Sequence, residues 1–209
     1  MSDHDHAHPH EHPHQTDHAE PSSHYEFMGV ALNELLIEKG VYTAAEMRSM
    51  IESVDAADPA HGAQVVARAW VDAEYRAELL ADGCAAVKKL GLNPGPAELT
   101  VLENTSRVHN VVVCTLCSCY PRALLGRPPV WYKSKDYRAR VVREPRVVLR
   151  EFGTTIPDDV EVRVHDSTAE LRYLILPMRP ERTEGMSEAE LAVLVTRDSM
   201  IGTALAREP

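Results

Sequence analysis

Val108-His-Asn-Val-Val-Val113 runs without interruption into Cys114-Thr-Leu-Cys-Ser-Cys-Tyr120. The first part is a β-branched run of strand length, and the second holds three of the chain's four cysteines within six positions. Just upstream, Leu99–Leu102 reads as another strand, and Asn93-Pro-Gly-Pro96 marks a boundary before it. Downstream, Pro121, Pro128 and Pro129 introduce a basic stretch to Arg150, with nine Lys or Arg between 122 and 150 against Asp136 and Glu144. Glu161–His165 and Leu171–Leu176 read as a strand pair around Asp166-Ser-Thr-Ala169, and Ser187-Glu-Ala-Glu190 opens the last expected helix.

The segment before residue 93 has a helical period. Ser23-His-Tyr-Glu26 and Thr43-Ala-Ala-Glu46 have capping-box form, and Asp58-Pro59 places proline in a first turn, where its missing N–H costs nothing. A further helical stretch covers Ala73 to Leu90, broken by Gly83 and ended by Gly91, with Cys84 as a small core residue. Residues 1–24 carry eight of the eleven histidines, five acidic residues and no Lys or Arg. With almost nothing apolar to bury, that tail is expected to be disordered, and its imidazoles suit Co²⁺, Ni²⁺, Zn²⁺ or Cu²⁺. The order of elements predicts an α+β chain: a tail at 1–24, a helical arm at 25–92 and a mixed α/β body at 93–209.

The 209 residues carry a formal net charge of −10, which argues against a general nucleic-acid binder. The basic stretch lacks aromatic platforms or a recognition helix, and so reads as a solvated or partner-facing band. No run of about 18 apolar residues exists, which predicts no membrane span, and no apolar leader segment is evident. A cytoplasmic protein with reactive cysteines is the expectation.

Three chemistries compete for Cys114, Cys117 and Cys119. A zinc knuckle needs a second pair of ligands, and outside the tail only Cys84, His61, His109 and His165 exist, without paired spacing. A dithiol redox pair lacks a thioredoxin-like βαβ context and leaves Cys119 without a role. A single-metal claw uses all three sulfurs. Cys119 sulfur with its own amide closes a five-membered chelate ring, the Ser118 and Cys119 amides close another, and Cys117 sulfur with the Ser118 amide closes a six-membered one. Thiolates with amidates suit low-spin trivalent cobalt or iron, and spacing permits this arrangement without excluding the others. His109 reads as a packed, hydrogen-bonded histidine.

Cys114-Thr-Leu-Cys-Ser-Cys-Tyr120 resembles the metal-claw motif of the nitrile hydratase α subunit family. The resemblance continues through Glu103-Asn-Thr105, Val108-His-Asn110, Pro128-Pro-Val-Trp-Tyr-Lys133, Tyr137 to Arg146, Glu161-Val-Arg-Val164, Leu176-Pro-Met-Arg-Pro180 and Val195 to Gly202. Thr115 and Tyr120 resemble its cobalt branch. The resemblance implies a layered α/β/β/α body and a non-corrin Co(III) held by Cys114, Cys117 and Cys119 sulfurs and the Ser118 and Cys119 amides. It also implies Cys117 sulfinic and Cys119 sulfenic acids, a separate β subunit in an α2β2 assembly, and a possible activator or metallochaperone. By the same resemblance, a small-molecule nitrile is polarised by the metal, Cys119 oxygen or a water that it positions attacks, and an amide results. Asp166 and Glu170 match the family's acidic positions around the metal ligands, and Trp131 is a candidate pocket wall. Arg122 departs from the aromatic common at its position and, with Arg127, points to a polar or anionic substrate. The metal-bearing subunit of thiocyanate hydrolase shares the claw and is the alternative enzyme. A His-tailed metal-delivery protein and a zinc-binding module are alternatives of another class.

Overall fold

The computed structural model describes Pro21 and residues 23–209; the histidine-rich tail, apart from Pro21, Ser23 and His24, lies outside the described residues. The chain divides into two compact units, residues 1–49 and 50–209. In the first unit, α1 (His24–Glu38) is opened by the Ser23/Glu26 capping box, and none of its side chains is buried. Tyr42 hydroxyl donates to Asn33 Oδ1 at 2.9 Å across the turn that follows. Thr43 and Glu46 form the second box at the start of α2 (Ala44–Asp55), which runs on into the second unit.

The second unit contains α3 (Pro59–Val71), α4 (Ala73–Ala81), α5 (Gly83–Lys89), β1 (Glu98–Glu103), β2 (Val108–Val113), α6 (Arg122–Leu125) and α7 (Val130–Lys133). It continues through α8 (Lys135–Arg143), α9 (Pro145–Glu151), β3 (Glu161–Asp166), β4 (Leu171–Leu176), α10 (Glu188–Leu194) and α11 (Arg197–Ile201). Asp58 caps α3 ahead of Pro59, as its sequence predicts. The break in the 73–90 stretch falls on Asp82 rather than on Gly83: its carboxylate accepts the Ala85 amide and so starts a new helix. Gly83 answers a different need, because a Cβ there would lie 2.5 Å from the Leu99 carbonyl oxygen of β1. The Ser187/Glu190 box opens α10, and Thr196 then caps one more helix, α11.

The strands correct one expectation. β3 and β4 do not pair with each other. β1 pairs in parallel with β4, Glu98 opposite Leu171 through Glu103 opposite Leu176. β2 pairs in parallel with β3, Val108 opposite Glu161 through Val113 opposite Asp166. Parallel neighbours need a crossover, and α6–α9 supply the one between β2 and β3. The Ser167 amide donates to the Val113 carbonyl at 2.7 Å, extending the β2 ladder by one bond before the chain turns off to β4.

Helices α4 and α5 pack on β1 and α11 on β4, β4 adjoins β2, and α8 and α9 pack on β2 and β3. This is the expected α/β/β/α order in an α+β chain. Helices α3–α5, which lie in the 25–92 stretch read as an arm, belong to the same compact unit as the sheets. The core runs from Val65 and Val66 of α3 through Val111 and Val113, Leu174 and Ile175 to Met200 and Ile201. Because β2 is covered on both faces, even His109 and Asn110 are buried.

A polar network closes the end of the β2–β3 pair where these strands begin. His109 Nε2 lies 2.7 Å from the Gly202 carbonyl and its Nδ1 3.2 Å from Asn104 Nδ2. Asn104 Oδ1 accepts the Asn110 amide at 2.7 Å, and His165 Nε2 lies 2.8 Å from Asn110 Oδ1. His109 is thus fully satisfied within the fold, as its sequence reading expects.

Candidate metal centre

The claw begins where β2 ends, at the carboxyl edge of a parallel pair, where the chain must leave the sheet. Cys114 is 1% exposed, while Cys117 is exposed and Cys119 half-buried. Cys114 and Cys117 sulfurs are 3.6 Å apart, Cys117 and Cys119 sulfurs 3.3 Å, and all three lie within 4.8 Å of one another. They are the one group of three potential metal-ligating side chains among the described residues.

Backbone direction follows the sulfurs. The Cys117 amide donates to Cys114 sulfur at 3.3 Å, and the backbone amides of Ser118 and Cys119 help to lower the Cys117 thiol. Three clustered sulfurs, with the Ser118 and Cys119 amides in the segment that joins two of them, are the donor set that the chelate argument requires, and so the residues present fit a thiolate–amidate metal ion. A structural zinc site does not fit, because no fourth side-chain ligand joins the group among the described residues. Hydrogen bonding from Cys119, and then from the Ser118 amide, lowers the Cys117 thiol to about 7. Burial first, and then Cys117, raises Cys119 to about 12, while the charge of half-buried Arg172 works against that rise. The first proton therefore leaves readily, and the second needs a cation to replace it.

The loop is tied down from three sides. Asp166 accepts the Thr115 amide at 2.9 Å and the Thr115 hydroxyl at 2.5 Å. Arg138 of α8 donates to the Thr115 carbonyl at 3.2 Å. Tyr132 of α7 donates to the Cys119 carbonyl at 2.8 Å, and Tyr137 of α8 donates to the Val112 carbonyl at 2.8 Å.

The other sequence candidates are placed as follows. Glu170 stays within its own turn, its carboxylate 3.3 Å from the Thr168 hydroxyl and its carbonyl accepting the Glu98 amide at 2.8 Å. Trp131 packs edge-on against Tyr137 and Phe152, with ring centres 4.9 and 4.7 Å away. Arg122 is exposed on the first turn of α6 and makes no ion pair among the described residues; Arg127 pairs with Asp55 at 3.5 Å. Tyr132, Tyr137, Arg138 and Arg172 were not singled out by the sequence reading. Tyr132 and Tyr137 lie in stretches that carry the family resemblance, which is the one signal the sequence holds for them.

Comparison with known proteins gives a consistent answer. The family described as nitrile hydratase, alpha chain, matches residues 23–204. The high-molecular-weight cobalt-containing nitrile hydratase subunit alpha of Rhodococcus rhodochrous is 48% identical over 197 residues, covering 93% of this chain and 97% of that one. The cobalt-containing nitrile hydratase subunit alpha of Pseudonocardia thermophila is 50% identical over 180 residues, 85% of this chain and 88% of the other. Among solved structures, a recombinant thiocyanate hydrolase comprising partially modified cobalt centres superposes with a TM-score of 0.82 at 43% identity, covering 90% of this chain and 92% of that chain.

Proposed function

The chain belongs to the nitrile hydratase α-chain family, and from that premise we propose that it is the metal-bearing subunit of a cobalt nitrile hydratase. The observation that carries this reading is the convergence of three cysteine sulfurs on one loop. Cys114, Cys117 and Cys119 sulfurs with the Ser118 and Cys119 amides would hold Co(III). Bound there, the ion would supply Lewis acidity toward a nitrile. Cys117 as sulfinate and Cys119 as sulfenate would present oxygens to the nitrile, and the Cys119 oxygen, or a water that it positions, would attack the nitrile carbon. Net addition of one water across C≡N gives the amide.

Asp166 holds the loop's first turn through Thr115 and keeps Cys114 and Cys117 in register. Cys117 is exposed, so its oxidised form needs donors from outside this chain, which a β subunit in an α2β2 assembly would supply. The acidic, histidine-rich tail would assist cobalt supply, alongside an activator or metallochaperone. We place the protein's site of action in the cytoplasm; no helix among the described residues is long and apolar enough to cross a membrane. Co-expression with the β partner tests the reading: elemental analysis should find cobalt, and intact mass should find three added oxygens on this chain. Zinc without cobalt, on an unoxidised chain, would overturn it.

Arg122 favours a second reading, a thiocyanate hydrolase subunit, because an exposed, unpaired guanidinium three residues past Cys119 suits an anion. Product analysis separates the two, since thiocyanate gives carbonyl sulfide and ammonia. Arg122→Trp should raise turnover of an aliphatic nitrile relative to a polar or anionic substrate; unchanged relative rates would remove Arg122 from specificity.

A further inference from the structure

The claw is held unevenly. Its first turn has three anchors, two from Asp166 and one from Arg138, all on Thr115. The carbonyls of Leu116, Cys117 and Ser118 accept no hydrogen bond among the described residues, and the Cys119 carbonyl accepts one, from Tyr132. At the Cys119 end, the hydrogen bond to the ligand residue's own carbonyl comes from this one phenol.

That phenol is rigidly mounted. Tyr132 is 0% exposed, with its ring 5.2 Å from Tyr120 and 5.8 Å from Tyr137 between centres. Phenylalanine would fill the same space, so the hydroxyl is there for its bond. Next to it lies Ser167, whose hydroxyl is the one buried side-chain polar atom among the described residues that meets no hydrogen-bond geometry. Ser167 directly follows Asp166, so the serine beside the phenol and the carboxylate that holds Thr115 are neighbours at the end of β3.

We propose that Tyr132 is a positioning residue for the metal claw, setting the backbone of Cys119 so that its amide nitrogen and sulfur face the other donors before any ion arrives. Anchoring the carbonyl holds the Cys119–Tyr120 peptide plane, the frame about which the Cys119 amide and side chain rotate, and so narrows the directions they can take. The inference rests on the metal-claw reading for its consequence, but its geometric content is testable without metal.

The test compares Tyr132→Phe with Tyr75→Phe, which also removes a buried phenol, one that donates to the Ala86 carbonyl in a different part of the core. In the metal-free full chain, amide exchange at Ser118 and Cys119 should quicken about tenfold in Tyr132→Phe and not in Tyr75→Phe. In the complex with its partner subunit, Tyr132→Phe should lose cobalt to a chelator about tenfold faster, with a shifted sulfur-to-metal absorption band and a lower kcat at unchanged KM. Wild-type exchange, cobalt retention and spectrum in Tyr132→Phe, or equal changes in Tyr75→Phe, would overturn the proposal. A wild-type complex that takes up no cobalt would instead defeat the metal reading, with the exchange comparison still deciding the role of Tyr132.

Discussion

Thr115 and Asp166 stand 51 positions apart, yet two hydrogen bonds join them. The parallel register explains this: Val113 lies opposite Asp166, so the first residues beyond β2 meet the last residue of β3. Removing the threonine hydroxyl leaves the amide bond intact, whereas removing the carboxylate frees both donors. Cobalt content of the purified complex should accordingly fall in the order wild type, Thr115→Val, Asp166→Ala; equal loading in all three would show the anchor to be dispensable. The clustering of the three sulfurs was legible in the sequence because the cysteines are near neighbours and covalent geometry limits where their sulfurs can go. Tyr132 and Arg138 were not, since nothing local in an aromatic or basic residue tells which distant carbonyl it will reach. Trp131, the neighbour of Tyr132 in sequence, packs edge-on against Phe152.

Among the elements, α11 ends on Gly202, which has φ +87° and would place a Cβ 1.9 Å from the Asn110 carbonyl oxygen. The neighbour is strand backbone, which cannot withdraw, so Gly202→Ala combines left-handed strain with a clash. A loss of at least ~3 kcal/mol is expected, readable as a lowered urea midpoint; a near-neutral variant would mean that α11 can lift off β2. Helix starts at Ser23, Thr43, Asp58 and Ser187 could be read in advance because a cap and its amide lie within three residues. The extents of the strands were also readable, from their apolar runs. Their partners were not: adjacency in sequence suggested joining β3 to β4, whereas helices α6–α9 carry the chain back so that β3 runs parallel to β2, which is buried on both faces.

For the whole molecule, the polar network of His109, Asn104, Asn110 and His165 predicts an acid limit. Burial, foremost, lowers both imidazoles below their ordinary value, with nearby Arg146 acting in the same sense on His109 and Arg163 on His165. As pH falls below ~6.5 the unfolded chain takes up these protons before the folded one, so stability declines until the folded values are passed. His109 alone should cost up to ~1.4 kcal/mol per pH unit across that window. Denaturation at pH 7.5 and 5 should show the loss, and His109→Gln, weaker at pH 7.5, should show a shallower slope; parallel slopes would exonerate His109. The 51-residue separation between Thr115 and Asp166 also has a consequence in time. At ribosomal speeds of about 5–20 residues per second, the cysteines are synthesised roughly 3–10 s before the carboxylate that will hold their loop. During that interval the nascent thiols are free of their final mooring, which gives a co-translational window in which a cobalt donor or an oxidant can reach them.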